Sequence, residues 1–155
     1  FNYNSNSKIV INQGTGQQTI NISGVFGSGS LPPIVINSTQ QINFTTADGS
    51  YIESITASGG QTLVFSFFST LNVKNLSLSG TVANPVNFKS ASSGGNKAYI
   101  SKNGGAVIVT GVNFTDIAFT GSAEFIAYQS PTPTRTTGIT TKISKRPPSG
   151  FLIFC

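Results

Sequence analysis

Ile9-Val10-Ile11-Asn12 and Ile34-Val35-Ile36-Asn37 are the same tetrapeptide, met twice in the first quarter of the chain. A second echo lies beside the first: Gln17-Gln18-Thr19-Ile20-Asn21-Ile22-Ser23 returns as Gln40-Gln41-Ile42-Asn43-Phe44-Thr45. In both, apolar and polar residues alternate, which is the period of a strand with one buried face. Leu76-Ser77-Leu78-Ser79, Val86-Asn87-Phe88 and Val112-Asn113-Phe114-Thr115 follow the same rule. Recurrence at roughly 20 to 50 residues marks stacked units that share a core with their neighbours. These stretches predict an all-β chain, a β-solenoid of the right-handed parallel β-helix kind with repeats of about 22–25 residues. Its apolar members point inward and its Asn, Ser and Thr point to solvent. A β-sandwich or jelly roll is the alternative, because alternating strands rich in Asn and Thr look alike in either fold.

The rest of the chain agrees with a β reading. Strand candidates recur at short, even spacing from Lys8–Asn12 to Ala123–Tyr128. Turn signals separate them at Gly14–Gly16, Gly27–Gly29, Asp48-Gly49, Gly59-Gly60, Gly94-Gly95 and Gly104-Gly105. No stretch joins the helical period to strong helix formers. Residues 1–129 read as one β-rich domain. Residues 130–155 read as a basic, Pro-rich strap with Pro131, Pro133, Pro147 and Pro148, ending in an apolar strand, Phe151-Leu152-Ile153-Phe154. Such a terminus must dock, on its own core or on a neighbour.

Composition restricts the chemistry. The 155 residues include no His, Met or Trp, a single Cys and only four carboxylates, Asp48, Glu53, Asp116 and Glu124. Acid–base catalysis and metal binding draw on the groups this chain is poorest in. The net charge is +5, but Lys8, Lys74, Lys89, Lys97 and Lys102 are scattered, and only Arg135, Lys142, Lys145 and Arg146 gather, in the C-terminal segment, so no nucleic-acid partner is expected and a tail that touches a polyanion or acidic neighbour is the sharper alternative. Scattered Lys suits strands that must stay soluble. No apolar run is long enough to cross a bilayer, so no membrane span is expected. The first residue is Phe1 and Met is absent, which reads as a processed product or a piece of a larger protein. Cys155 has no internal partner and is a candidate for an intermolecular disulfide.

The tract from Gly80 to Asp116 carries a resemblance. It runs Gly80-Thr81, Asn84-Pro85-Val86-Asn87-Phe88-Lys89-Ser90, Gly94 or Gly95, Ala98-Tyr99-Ile100-Ser101-Lys102, Gly105, Val107-Ile108-Val109 and Val112-Asn113-Phe114-Thr115-Asp116. It resembles the C-terminal tract of secreted bacterial and phage-encoded parallel β-helix surface proteins of the adhesin or fibre type. There a Gly-Thr turn leads to a Pro-started strand, a Gly-containing loop and a last strand that ends in Asp. Leu71–Ser79 is similar to their penultimate rung, and Gly150–Phe154 stands where they have a Gly-Trp-x-Phe ending. The likeness covers about half the chain, and departs in the lack of Trp and in the strap. It implies a fold, with no catalytic residue.

Together these readings point to a non-enzymatic structural or adhesive subunit that builds or decorates an extracellular assembly: a bacterial surface fibre, an adhesin module or a virion component. The expected location is extracellular, on a cell surface or in a virion. Expected partners are further copies, as a homo-oligomer or filament, or neighbouring surface proteins, and no cofactor is called for. The assembly interface is expected at Lys8, Ile9, Val10 and Ile11 and at Phe151, Leu152, Ile153 and Phe154, the terminal strands. A carbohydrate-binding module is the alternative, with Tyr51, Tyr99 and Tyr128 as a stacking surface. A polysaccharide-active enzyme would need two carboxylates at a set separation, Asp116 with Glu124 or Asp48 with Glu53. Asp48 and Asp116 read as turn residues, Glu53 and Glu124 as facing water. Phe65, Phe67 and Phe68 with Val64 read as core or subunit interface. Asn21, Asn37, Asn43, Asn75 and Asn113 each begin an Asn-x-Ser/Thr acceptor for glycans.

Overall fold

The computed structural model describes residues 7–22, 31–92 and 94–142. The described strands are β1 (Ile9–Ile11), β2 (Gln18–Ile22), β3 (Ile34–Ile36), β4 (Gln41–Thr46), β5 (Ser50–Ser58), β6 (Thr62–Phe65), β7 (Thr70–Ser79), β8 (Val86–Ser90), β9 (Ala98–Ser101), β10 (Ala106–Thr110), β11 (Val112–Thr115), β12 (Ile117–Thr120), β13 (Glu124–Tyr128) and β14 (Thr140–Lys142). Every pairing between them is parallel. No described residue is helical. The fold is a β-solenoid, and the sandwich alternative falls away.

The coil has three faces. The first stacks β1, β3, the second half of β5, the second half of β7, β10, β13 and β14. The second stacks β2, β4, β6, β8 and β11. The third runs from Leu31 through the first halves of β5 and β7 to β9 and β12. On the first face Ile9 pairs with Ile34, Ile34 with Ile55, Ile55 with Leu76, Ser79 with Thr110, Ala106 with Glu124 and Ile126 with Thr140. The longest turn runs from Ser79 to Thr110, and the two after it become progressively shorter. The chain makes five full turns and a shorter sixth, so it tapers toward its C-terminal side.

Alternation shows why the strands bend where they do. In β5 the buried Ile52 and Ile55 are separated by Glu53 and Ser54 instead of by a single residue. In β7 the buried Val73 and Leu76 flank Lys74 and Asn75 in the same way. The break in parity turns the strand through a corner while keeping both apolar residues inward. Glu53 and Lys74 stack at that corner as an ion pair of 3.1 Å on the outer surface.

A file of rings fills the interior. Phe44, Phe65, Phe88 and Phe114 are all buried on the second face. Their successive centroids lie 4.7, 4.4 and 5.7 Å apart, and the file continues through Phe119 at 5.1 Å and Phe125 at 4.6 Å. Each contact adds about 0.5–1.5 kcal/mol beyond burial of area. Outside the same face, amides bond to one another. Asn113 Nδ2 donates to Asn87 Oδ1 of the turn below at 3.2 Å, and Gln41 Nε2 donates to Asn43 Oδ1 along its own strand at 2.9 Å. Parallel stacking with equal residues one turn apart gives Asn113 a partner of its own kind.

Corners need residues with positive φ. Between the second and third faces these are Gly49, Phe68, Gly95, Asp116 and Arg135. Between the first and second faces Gly111 takes the whole corner, at φ 58°. A Cβ there would collide with the Gly80 carbonyl one turn below, so glycine is required.

The strap reading is refined. Thr134 bridges to Thr115, Thr137 bridges to Ala118, and β14 pairs with β13. Residues 130–142 thus form the sixth turn of the solenoid rather than a separate extension. Residues 143–155, with Phe151–Phe154 and Cys155, lie outside the described residues.

Candidate functional site

The candidate acids are dispersed. Asp48 lies at the corner after β4, where its Oδ1 accepts a hydrogen bond from the Thr70 backbone N–H at 2.8 Å. That bond holds its carboxyl below the ordinary value. Glu53 is at the corner inside β5, and Glu124 is exposed at the start of β13. Asp116 is at the corner between β11 and β12, on a different face from Glu124. Neither pair considered for hydrolysis is brought together, and no cluster of three or more acids, His or Cys occurs among the described residues.

Asp116 does something sequence reasoning missed. Its side chain is 1% exposed, and both oxygens accept from Arg135: Nε at 2.6 Å and Nη2 at 2.7 Å. Arg135 occupies the equivalent corner one turn later, because Asp116 N–H donates to Thr134 O at 3.0 Å. The guanidinium holds the Asp116 carboxyl below its ordinary value against the opposing effect of burial, and Lys97 adds to the same direction. The pair raises the Arg135 value in turn. The fork fastens the sixth turn to the fifth. The only signal in sequence is Arg135, the first of two Arg in the strap, one turn after Asp116.

The tyrosines do not form one platform. Tyr51 and Tyr99 are both on the third face, but Tyr51 stacks in the column of Asn72 and Ser101, whereas Tyr99 stacks on Thr70 and Ala118 in a neighbouring column. Tyr128 is on the first face, with the Lys142 ammonium 5.9 Å from its ring centre. Phe65 and Val64 are buried, as read. Phe67 and Phe68 are not core: they turn outward at a corner, 44% and 65% exposed, and Phe68 has φ 58°. Of the glycan acceptors, Asn21, Asn37 and Asn75 are exposed, whereas Asn43 and Asn113 are half-buried within the outward amide rows.

Among the described residues the core is incomplete at the N-terminal end of the coil. Ile9, Ile11 and Ile20 point inward but are only partly buried. Their stacked equivalents Ile34, Ile36 and Phe44 are 0%, 2% and 1% exposed. Among the described residues β1 and β2 each pair on one edge only. Val10 is 38% exposed on the outside of β1. Four of the expected interface residues, Lys8 to Ile11, therefore lie on an open rung.

A groove opens at the opposite end. The β7–β8 loop, Gly80–Pro85, stands out from the corner where the next turn has only Gly111 and the following turn has Gln129–Thr132. The notch between loop and strap measures about 630 Å³.

No protein-family model, curated protein or solved structure matches this chain.

Proposed function

We propose that this chain is a non-enzymatic structural and adhesive subunit of an extracellular assembly, and that it associates through the open rung of β1 and β2. The observation that carries this reading is the contrast between half-buried Ile9, Ile11 and Ile20 and their fully buried equivalents one turn on. An apolar core open beside two edges that are unpaired among the described residues is a surface for strand addition. The wide dispersal of the four carboxylates supports the non-enzymatic part. The turn-and-strand likeness of Gly80–Asp116 to surface β-helix proteins supports the extracellular setting.

The end rungs bear on how copies meet. β1 carries the inward Ile9 and Ile11, whereas Thr140–Lys142 of β14 are all exposed, so the two ends differ in character and head-to-tail stacking is a poor fit. Like ends match. Antiparallel addition of β1 to a second β1, centred on Val10, sets Ile9 against Ile11 and Lys8 against Asn12, so the lysines do not face one another. Such contact is isologous and closes as a dimer.

Sedimentation velocity of the wild type and of Ile9→Asp/Ile11→Asp tests this. The wild type is expected to dimerise with concentration, and the variant to stay monomeric with its β-type circular dichroism intact. A monomeric wild type at every concentration, or a variant that associates equally well, contradicts it.

A further inference from the structure

We infer that the groove between the β7–β8 loop and the sixth turn binds an acidic saccharide, a sugar chain bearing carboxylate or sulfate groups. This rests on the adhesive reading above and deepens it by giving the opposite end of the coil a ligand class.

The argument starts from how the groove arises. The corner between the first and second faces is Gly80–Pro85 in the fourth turn, Gly111 alone in the fifth and the strap in the sixth. The single Gly111 leaves a gap flanked by chain on both sides. Its size falls within the range of about 300–1,000 Å³ usual for small-ligand sites.

The lining sets the chemistry. Thr132 and Thr141 bring hydroxyls, Gln129 an amide and Lys142 an ammonium. The Thr81 hydroxyl accepts from the Asn84 N–H and keeps its proton to donate, whereas the Ser130 hydroxyl is spent on the Val112 N–H and the Tyr128 carbonyl and only shapes the wall. Hydroxyls and an amide both donate and accept, which matches the alternating demands of sugar hydroxyls. Val82 and Ala83 add apolar surface for the C–H faces of a ring, and Val82 is 65% exposed with no other evident role.

Charge then narrows the class. Among the described residues Lys142 is the single charged residue of the lining, and no carboxylate lines the groove. Its ammonium is placed near the Tyr128 ring rather than against an acid. Glu124 is at the far end of β13 from Tyr128. One cation among hydroxyls suits one anionic group per few sugar units. A nucleic acid would call for a run of Lys and Arg along its phosphates, and a peptide for a pairing edge or apolar anchor pockets. The described lining has neither.

The test is a heteronuclear NMR titration of the full chain with trigalacturonic acid and, separately, with uncharged galactotriose. The acidic trimer is expected to shift the amides of Thr81, Gln129, Ser130 and Thr141, and to bind at least about tenfold tighter than the neutral one, the worth of one charge-assisted hydrogen bond. Lys142→Gln, at an exposed position, is expected to remove that difference and keep weak binding of both. Val82→Glu is expected to abolish binding of the acidic trimer by placing a like charge in the groove. Ile9→Asp/Ile11→Asp is expected to bind the acidic trimer normally, so failure of the dimer proposal and failure of this one read out separately. No shift at the groove with either trimer, or equal affinities that Lys142→Gln leaves unchanged, overturns the inference.

Discussion

Replacing Arg135 with alanine removes both hydrogen-bond partners of the Asp116 carboxylate, which is 1% exposed with the guanidinium in place. Both residues are non-glycine, so the strain of φ 47° at position 135 stays the same and the effect is electrostatic. Leaving a buried carboxylate without its partner costs about 3–5 kcal/mol. Arg135 is itself 54% exposed, so water partly replaces it and the cost belongs at the low end, about 3 kcal/mol. For a chain of this size that lowers Tm by roughly 6–12 °C. Asp116→Asn is expected to cost less, about 1 kcal/mol, because Asn tolerates the left-handed backbone and brings no charge. The two variants then part company with pH. In the wild type the folded Asp116 value is lowered, so its contribution is complete above the unfolded value of about 3.9 and is lost as pH falls through the folded one. In Arg135→Ala the carboxyl loses the partner that lowers its value, so that value is expected to rise relative to the wild type. Its deficit is greatest at neutral pH and shrinks on acidification by up to about 1.4 kcal/mol per unit below that value. Urea titrations followed by circular dichroism at pH 7 and pH 5 read this directly. Equal deficits for Arg135→Ala and Asp116→Asn at both values refute the reasoning.

Three further outcomes test the packing. Phe88→Ala, in the middle of the ring file, is expected to cost about 3–5 kcal/mol in urea midpoint analysis, since rings above and below cannot both move into the gap. Gly111→Ala is expected to cost more than about 2 kcal/mol and to unfold the last turns first, seen as early loss of amide protection in residues 112–142. Phe68→Asn is expected to raise Tm slightly in a thermal melt, because an exposed Phe at φ 58° gives way to a residue that adopts this backbone readily.

The solenoid was legible because its signal is repeated. Ile9–Ile11 recurs in Ile34–Ile36, and the two strands pair residue for residue as the echo implies. The second echo shows the limit. Matching Gln17–Ser23 to Gln40–Thr45 by their shared letters sets Gln18 on Gln41, yet the strands pair Gln18 with Ile42, Thr19 with Asn43 and Ile20 with Phe44. Placing Ile20 on Ile42 instead would keep every side chain on its own face, so alternation cannot choose between these two registers, whereas a slip of one would not survive. The ring file chooses, since it puts Ile20 at the end of the column of Phe44 and Phe65. Corners were harder. Val64-Phe65-Ser66-Phe67-Phe68 reads as one apolar strand, but the chain turns after Phe65 and delivers Phe67 and Phe68 to solvent. The Asp116–Arg135 fork was hidden for a related reason. It joins equivalent corners of successive turns, and turn length varies widely, long from Ser79 to Thr110 and short from Ile126 to Thr140. The groove could not be seen at all, because it comes from one corner being shorter than those around it.

The most direct check on association through the first rung is hydrogen exchange of the wild type, resolved by peptide, across protein concentration. Protection of residues 9–11 and 18–22 should rise with concentration while β4 to β13 stay unchanged. Exchange in these two strands that ignores concentration, beside a change elsewhere on the coil, would contradict the account.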